Sequence, residues 1–569
     1  MRSSDELKKL LIEIDHRGYP AYKQTKGEYR FKGYILSIDH VQGDPFASPS
    51  KVSIRVDGGT AGFPDDFYRK KHRRIALQDM LTRRFAHAVY KDRRGRDAGS
   101  GKSGLISSDR PGQEILERSC CRIDVSTGSV VFRMEIGFPA FGRSINSKEL
   151  INMLFVSLPD HVAGSFVFHK EEERCYTDVL ELADDQLAIR QALADMGLCA
   201  FIADGSVLPR ESGVSDRPMK QAVAFVSPES LKVDISLPHA GRISGMGIRR
   251  GITLIVGGGY HGKSTLLHAL EKGVYDHIRG DGREYVITDA SAMKIRAEDG
   301  RCVHGDDISL FINDLPDGRD VRHFSTEDAS GSTSQAANVV EAAECGSSVL
   351  LIDEDTCATN FMVRDRLMQR VINREHEPIT PFIERMRYIY EELGVSCILV
   401  AGSSGAFFGV ADTVVQMDRY KPYDITDRAK EEYEKEEADM YAAHPAPVTA
   451  YTERVIVSER SFGHGDRIKL KVHGRDGFGI DREDVDIRYL EQLTDSAQTA
   501  ALAHIASYAV RELIDGKRSI REILKILEDM LDDAGVEKLC GPYPFCGLAR
   551  PRVQEISGML NRCRFLRAR

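Results

Sequence analysis

Residues 250–265 read Arg-Gly-Ile-Thr-Leu-Ile-Val-Gly-Gly-Gly-Tyr-His-Gly-Lys-Ser-Thr. Within them, Gly257–Ser264 fits G-x-x-x-x-G-K-[ST], the phosphate-loop pattern. The apolar run Ile252–Val256 reads as a buried parallel strand, and Ser264-Thr-Leu-Leu-His-Ala-Leu as the start of a helix. Strand, glycine-rich turn and helix are the context that phosphate binding requires. Glycines let backbone N–H groups turn inward, and the helix N-terminus adds a positive dipole end. The reading assigns nucleotide contacts to Gly257, Gly258, Gly259, Tyr260, His261, Gly262, Lys263, Ser264 and Thr265. Lys263 would reach the β- and γ-phosphates, and Ser264 would ligate Mg²⁺.

A second half of such a site follows about ninety residues on. Ser347-Ser-Val-Leu-Leu-Ile-Asp353-Glu354 is an apolar strand ending in acids, the form of a Walker B strand. Asp353 would hold Mg²⁺ and Glu354 would polarise the attacking water. Upstream, Ala329-Ser330-Gly331-Ser332-Thr333-Ser334-Gln335 leads into a helical stretch. The order resembles the signature motif of ABC-class ATPases. In that class the turn binds the γ-phosphate held by the opposite subunit, which places Ser330 and Gly331 in trans, with Ser332 as a further nucleotide contact. A plain helix cap reads the same residues equally simply. Asn360 stands where the class carries its D-loop Asp. Gly402-Ser403-Ser404 follows a strand where the class has a switch His, so Ser403 is the nearest γ-phosphate contact. His304–Ile312 falls where a Q-loop is expected, with Asp306 or Asp307 approaching the metal.

Composition bounds the alternatives. At 569 residues the chain needs about three domains. No apolar run nears the roughly 20 residues of a membrane span, and the N-terminus lacks the apolar core of a signal peptide. Eleven scattered cysteines give no zinc-ligand spacing and suit a reducing cytoplasm. Net charge is −9, yet Thr60–Arg122 carries 15 Lys/Arg against 8 Asp/Glu. The last twenty residues carry six Arg and one acid. Two basic regions flanking a nucleotide site suggest a nucleic-acid surface, or merely solvated faces. Gly99-Ser-Gly-Lys102-Ser103 looks like another phosphate loop, but no apolar strand precedes it. The candidates there are Arg93, Arg94, Arg96 and Lys102, on a flexible loop gripping nucleic-acid phosphates. Tyr19, Tyr22, Tyr29 and Phe31 lie among basic residues and read chiefly as core.

Longer blocks carry a family resemblance: His40-Val-Gln-Gly-Asp-Pro-Phe-Ala-Ser-Pro-Ser, Gly99-Ser-Gly-Lys-Ser-Gly-Leu-Ile, Pro111-Gly-Gln-Glu-Ile-Leu, Val256–Leu267 and Asp353–Met362. With them the chain resembles soluble ATPases of the ABC class, a family that includes a trypanosome mitochondrial RNA-binding-complex protein. The resemblance implies an α/β fold: a central ABC-type P-loop domain, a mixed α+β N-terminal domain and a smaller α+β C-terminal domain. The divisions fall at 1–165, a bridge at 166–220, 221–445 and 450–569. It also implies ATP and Mg²⁺, a homodimer with a basic opening, RNA as partner and no membrane partner. An ATP-gated scaffold with negligible hydrolysis is the rival expectation. A small-molecule kinase is a third, disfavoured by the adjacent Asp353-Glu354 pair.

Overall fold

The computed structural model describes residues 1–92, 99–313, 315–364, 377–402, 404–435, 453–458, 468–541 and 543–568. By packing, the chain forms two units. One is Met1–Asp184 with Leu531–Arg550; the other is Asp185–Met530 with Pro551–Arg569.

The first unit is built on a seven-stranded sheet. Its strands are β1 (Arg2–Ser3), β2 (Gly27–Arg30), β3 (Ile35–His40), β4 (Ser50–Val56), β5 (Ile106–Ser107), β6 (Cys121–Ile123) and β7 (Val130–Ile136), in the order β1-β2-β3-β4-β7-β5, with β6 also on β7. Burial alternates along β4 and β7 as the pleat demands. Val52, Ile54, Phe132, Met134 and Ile136 therefore face one core. Helix α1 (Ser4–Glu13) starts at a Ser3/Glu6 capping box. Helix α2 (Lys71–Lys91) adds Leu77, Leu81 and Phe85 to the core, with the Phe85 ring 4.6 Å from that of Phe132. The basic stretch 65–90 forms two helices, because Lys70 is extended between Asp65–Tyr68 and α2.

Leu531–Arg550 comes from far along the sequence to complete this unit. Ser119 and Leu548 exchange hydrogen bonds through backbone and hydroxyl groups at 2.9 and 3.1 Å. The Arg550 N–H donates to Glu117 O at 2.8 Å. On the sheet's polar face, Arg133 pairs with Glu537 at 3.2 Å, and the Lys51 ammonium lies 3.8 Å from the Phe545 ring centroid.

The second unit holds two sheets that matter to the site. The antiparallel one contains β8 (Leu198–Ala203), β9 (Lys232–Leu237), β10 (Gly241–Arg249) and β12 (Val286–Thr288), in the order β9-β10-β8-β12. The mainly parallel one contains β11 (Ile252–Val256), β13 (Met293–Ile295), β14 (Val349–Asp353), β15 (Ser396–Val400), β16 (Thr413–Asp418) and β17 (Lys421–Asp424). Its order is β13-β14-β15-β11-β16-β17, all parallel except the final hairpin. Strands β14 and β15 are almost wholly buried, which explains their unbroken apolar runs. The helices that matter here are α3 (Lys263–Lys272), α4 (Gly331–Glu344), α5 (Phe382–Glu391) and α6 (Val553–Leu560).

Candidate nucleotide site and its surroundings

Strand register puts the two motif halves on one edge. Val400 of β15 pairs with Ile255 of β11 on one side and Asp353 of β14 on the other. Both strands therefore end level, and their following loops open together, where ligands bind in parallel sheets. Gly257 leaves β11 at φ +140°, and a Cβ there would lie 2.4 Å from Met417 O, so only glycine makes this turn. Tyr260, at φ +65°, is fully exposed. Gly258 and Gly259 are less enclosed than the strand before them. The β16–β17 turn braces the loop: His261 Nδ1 lies 2.8 Å from Asp418 Oδ1, and the Tyr420 N–H donates to His261 O at 2.9 Å.

Gly262 precedes α3, whose first residue is Lys263. The Lys263 ammonium donates to Gly257 O at 2.7 Å and Gly258 O at 3.1 Å, folded back over its own loop. Ser264, Thr265, Asp353 and Thr356 line one cleft of about 440 Å³, together with Arg210 and Lys294. Burial raises the Asp353 carboxyl above its ordinary range, while the Lys294 charge opposes that rise. Glu354 Oε2 accepts the Gly402 N–H at 2.6 Å, which ties the Walker B carboxylate to the turn after β15. Ser403 lies outside the described residues, as do Arg93, Arg94 and Arg96.

The remaining predicted residues gather in a second group. Ser330 caps α4, accepting the Thr333 N–H at 3.4 Å, and Gly331 is the first helical residue. The Ser332 hydroxyl donates to Asn360 Oδ1 at 2.7 Å. Gln335 is fully buried and accepts the Ala358 N–H at 2.9 Å. Gln335 thus holds the start of the short helix Thr359–Met362 that carries Asn360. These bonds run within the group, while Lys263 turns to the carbonyls of its own loop.

Two expectations are corrected. Asp306 does not approach the metal position: it is fully buried beside Arg454, 2.8 Å away, and neither it nor Asp307 lines the cleft. The segment that follows the strand beside Walker B is instead Arg296–Asp299. There the Ala297 N–H donates to Thr356 O at 3.0 Å and the Glu298 N–H to Ser334 Oγ at 2.9 Å. Gly99–Ser103 is not a loose loop: the Ser100 and Lys102 N–H groups donate to Ala140 O and Pro45 O at 2.7 and 2.9 Å. Among the described residues, many arginines of the two runs form ion pairs, including Arg73–Asp184, Arg83–Asp79 and Arg118–Asp109 in the first unit. In the second unit Arg562 pairs with Glu298, and both Arg564 and Arg567 with Glu327. Tyr19, Tyr22 and Tyr29 are core residues, and Phe31 is partly buried against that core.

Sequence reasoning missed Lys294, Glu271 and His268. Lys294 is a buried cation in β13, with Nζ 2.6 Å from Glu271 Oε1; His268 Nδ1 lies 3.1 Å from the other Glu271 oxygen. Burial works to raise the Glu271 carboxyl, but the His268 contact and the Lys294 charge outweigh it and hold it at about 2. The only sequence signal was a lysine between Met293 and Ile295.

Fold and site together define a P-loop nucleotide-binding protein. Three family models match consecutive parts of the chain: an N-terminal model of ATPases of the ABC class over residues 4–169, the P-loop domain of that ATPase family over 172–454, and the MRB1590 C-terminal domain over 469–569. The chain belongs to this family of ABC-class ATPases. An uncharacterized protein, MJ1628, from Methanocaldococcus jannaschii is 32% identical over 248 residues, covering 42% of this chain and 54% of the relative. The chain thus spans about half the length of the curated relative it matches. Among solved structures, cbiO1 from Clostridium perfringens, part of an ABC transporter complex, is 14% identical over 42% of this chain and 92% of its own, at a TM-score of 0.26. A bacterial Atm1-family ABC exporter with ATP bound is likewise 14% identical over 52% of each chain, at 0.24. No single helix among the described residues is long and apolar enough to cross a membrane.

Proposed function

We propose that two copies of this chain bind Mg-ATP between them, hydrolyse it, and couple the cycle to gripping or remodelling nucleic acid, RNA in particular. One observation carries the composite site: Lys263, Ser264, Asp353 and Glu354 share one sheet edge, while Ser330, Gly331, Ser332 and Asn360 form a separate cluster. A second copy would bring its own cluster to face the first copy's phosphate loop.

The donor set suits a hard divalent cation. The Ser264 hydroxyl and the Asp353 carboxylate line the same cleft, and oxygen donors of this kind hold Mg²⁺. When bound, the cation would neutralise charge on the β- and γ-phosphate oxygens. Lys263 would exchange its two carbonyl contacts for those oxygens. Glu354, oriented by the Gly402 N–H, would take a proton from the attacking water. Ser330 and the α4 N-terminus would stabilise the γ-phosphate in trans. RNA enters through the family resemblance, and the scattered thiols accord with a cytoplasmic setting.

Phosphate release by the full chain, with and without RNA and across protein concentration, tests the reading. Turnover per subunit should rise with concentration and with RNA. Concentration-independent turnover would overturn the composite site. A second reading, an ATP-gated scaffold with negligible hydrolysis, is favoured by Gly402-Ser403-Ser404, which offers no imidazole as a proton shuttle. Tight ATP binding with no phosphate release would select it.

A further inference from the structure

Many described arginines of both basic runs are held in ion pairs, which turns attention to the lysines. One part of the first unit gathers cations and exposed rings. His40 ends β3, and Lys51 beside it lies in β4. Partial burial and the charges of Lys51, Lys26 and Lys23 all depress the His40 imidazole. In the next strand Glu135 pairs in register with Lys51 and feels the charges of both Lys51 and Lys102.

Rings stand at either end of this run. The Lys26 ammonium is 5.3 Å from the Tyr543 ring centroid, and Tyr543 is 63% exposed. At the other end the Lys102 N–H donates to Pro45 O, next to Phe46, which is 66% exposed. Gly101, at φ +64°, fits tightly there, since a Cβ on it would sit 2.4 Å from Pro45 O and 3.1 Å from the Phe46 ring. The strip is therefore built on fixed backbone. Nearby carboxylates are engaged: Asp44 pairs with Arg143 at 3.0 Å, and Asp39 accepts the Ser37 and Ser53 hydroxyls at 2.6 and 2.8 Å.

We propose that this strip binds single-stranded nucleic acid, with unpaired bases stacking on Phe46 and Tyr543 and phosphates pairing with Lys23, Lys26 and Lys102. The inference rests on the nucleic-acid part of the function proposed above and names where on the chain it acts. Lysines alone would grip any polyanion. Two large exposed rings framing them suit a strand whose bases are unstacked, because every base offers a π-face to an aromatic side chain. A duplex keeps its bases paired and inside.

The test uses the full-length protein and a fluorescein-labelled 20-nucleotide oligouridine, beside a labelled 20-base-pair RNA duplex. Phe46→Ala and Tyr543→Ala should each weaken oligouridine binding by roughly 5- to 100-fold, and Phe46→Tyr should restore it. Duplex binding should change less than twofold. Lys26→Ala with Lys102→Ala should flatten the salt dependence, by a slope of about 0.7 for each phosphate no longer paired. Both rings are exposed, so unchanged thermal midpoints serve as the folding control. If the wild type binds neither probe, the nucleic-acid part of the proposed function falls and this inference with it. If the wild type binds but both aromatic variants bind within twofold of it, this inference alone is overturned. Equal weakening on oligouridine and duplex, or equal competition by polyglutamate, would also overturn it.

Discussion

Glu354 takes its orientation from the backbone N–H of Gly402. Replacing its carboxylate with an amide keeps the shape and removes the base proposed above. Glu354→Gln should retain ATP binding while phosphate release falls by about 10²–10⁴-fold, measured by nucleotide affinity and steady-state turnover on the same sample. Glu271 gives a prediction in pH. Its folded value of about 2 lies below the ordinary 4.5, so folding favours the ionised form. That stabilisation is complete above about pH 4.5 and is lost as pH falls towards 2. Glu271→Gln should cost roughly 3 kcal/mol near neutral pH, and the gap from wild type, read from urea midpoints, should narrow steadily below pH 4.5. A gap independent of pH would show that Glu271 acts by shape and not by charge. At this scale the sequence was most readable where chemistry is local. Lys263, Ser264, Asp353 and Glu354 sit in contiguous motifs. Lys294 belongs to the same neighbourhood only through the pairing of β13 with β14, a relation that no spacing along the chain expresses.

Helix α4 shows how an element can be read at one end and missed along its back. Its N-terminus was legible from Ser330-Gly331, because capping is a local hydrogen bond. Its other polar positions, Asn338, Glu341 and Glu344, are buried and meet Arg301, Arg562 and Arg454 from three separate stretches of chain. Arg562 also pairs with Glu298, one residue before Asp299, which faces Gly331. The residues after α6 thus grip the helix that carries the Ser330-Gly331 turn. Removing one partner of such a buried pair strands a charge. Arg562→Met should lower stability by about 3–5 kcal/mol, and adding Glu298→Met should recover much of it. Chemical denaturation of the single and double variants checks this. The parallel strands were legible because burial on both faces writes an uninterrupted apolar run, as in Val349–Ile352. The Q-loop assignment failed because β13 is only three residues long and contains a lysine, so the strand that sets the register left no such run.

At the scale of the whole molecule, each unit has its own core, and the first is completed by residues 531–550. That arrangement sets an order of events during synthesis. The first 184 residues leave the ribosome well before residue 550, a lag on the order of half a minute at about 5–20 residues per second. Until then the Glu117–Ser119 edge lacks the backbone partners at Leu548 and Arg550, and Arg133 lacks Glu537. An unpaired strand edge invites pairing with other chains. A fragment of residues 1–184 should therefore aggregate when made alone, and a synthetic 531–550 peptide added in trans should suppress the light scattering. For the nascent chain, the delay means that the first unit waits, with that edge open, until residues 531–550 have been made.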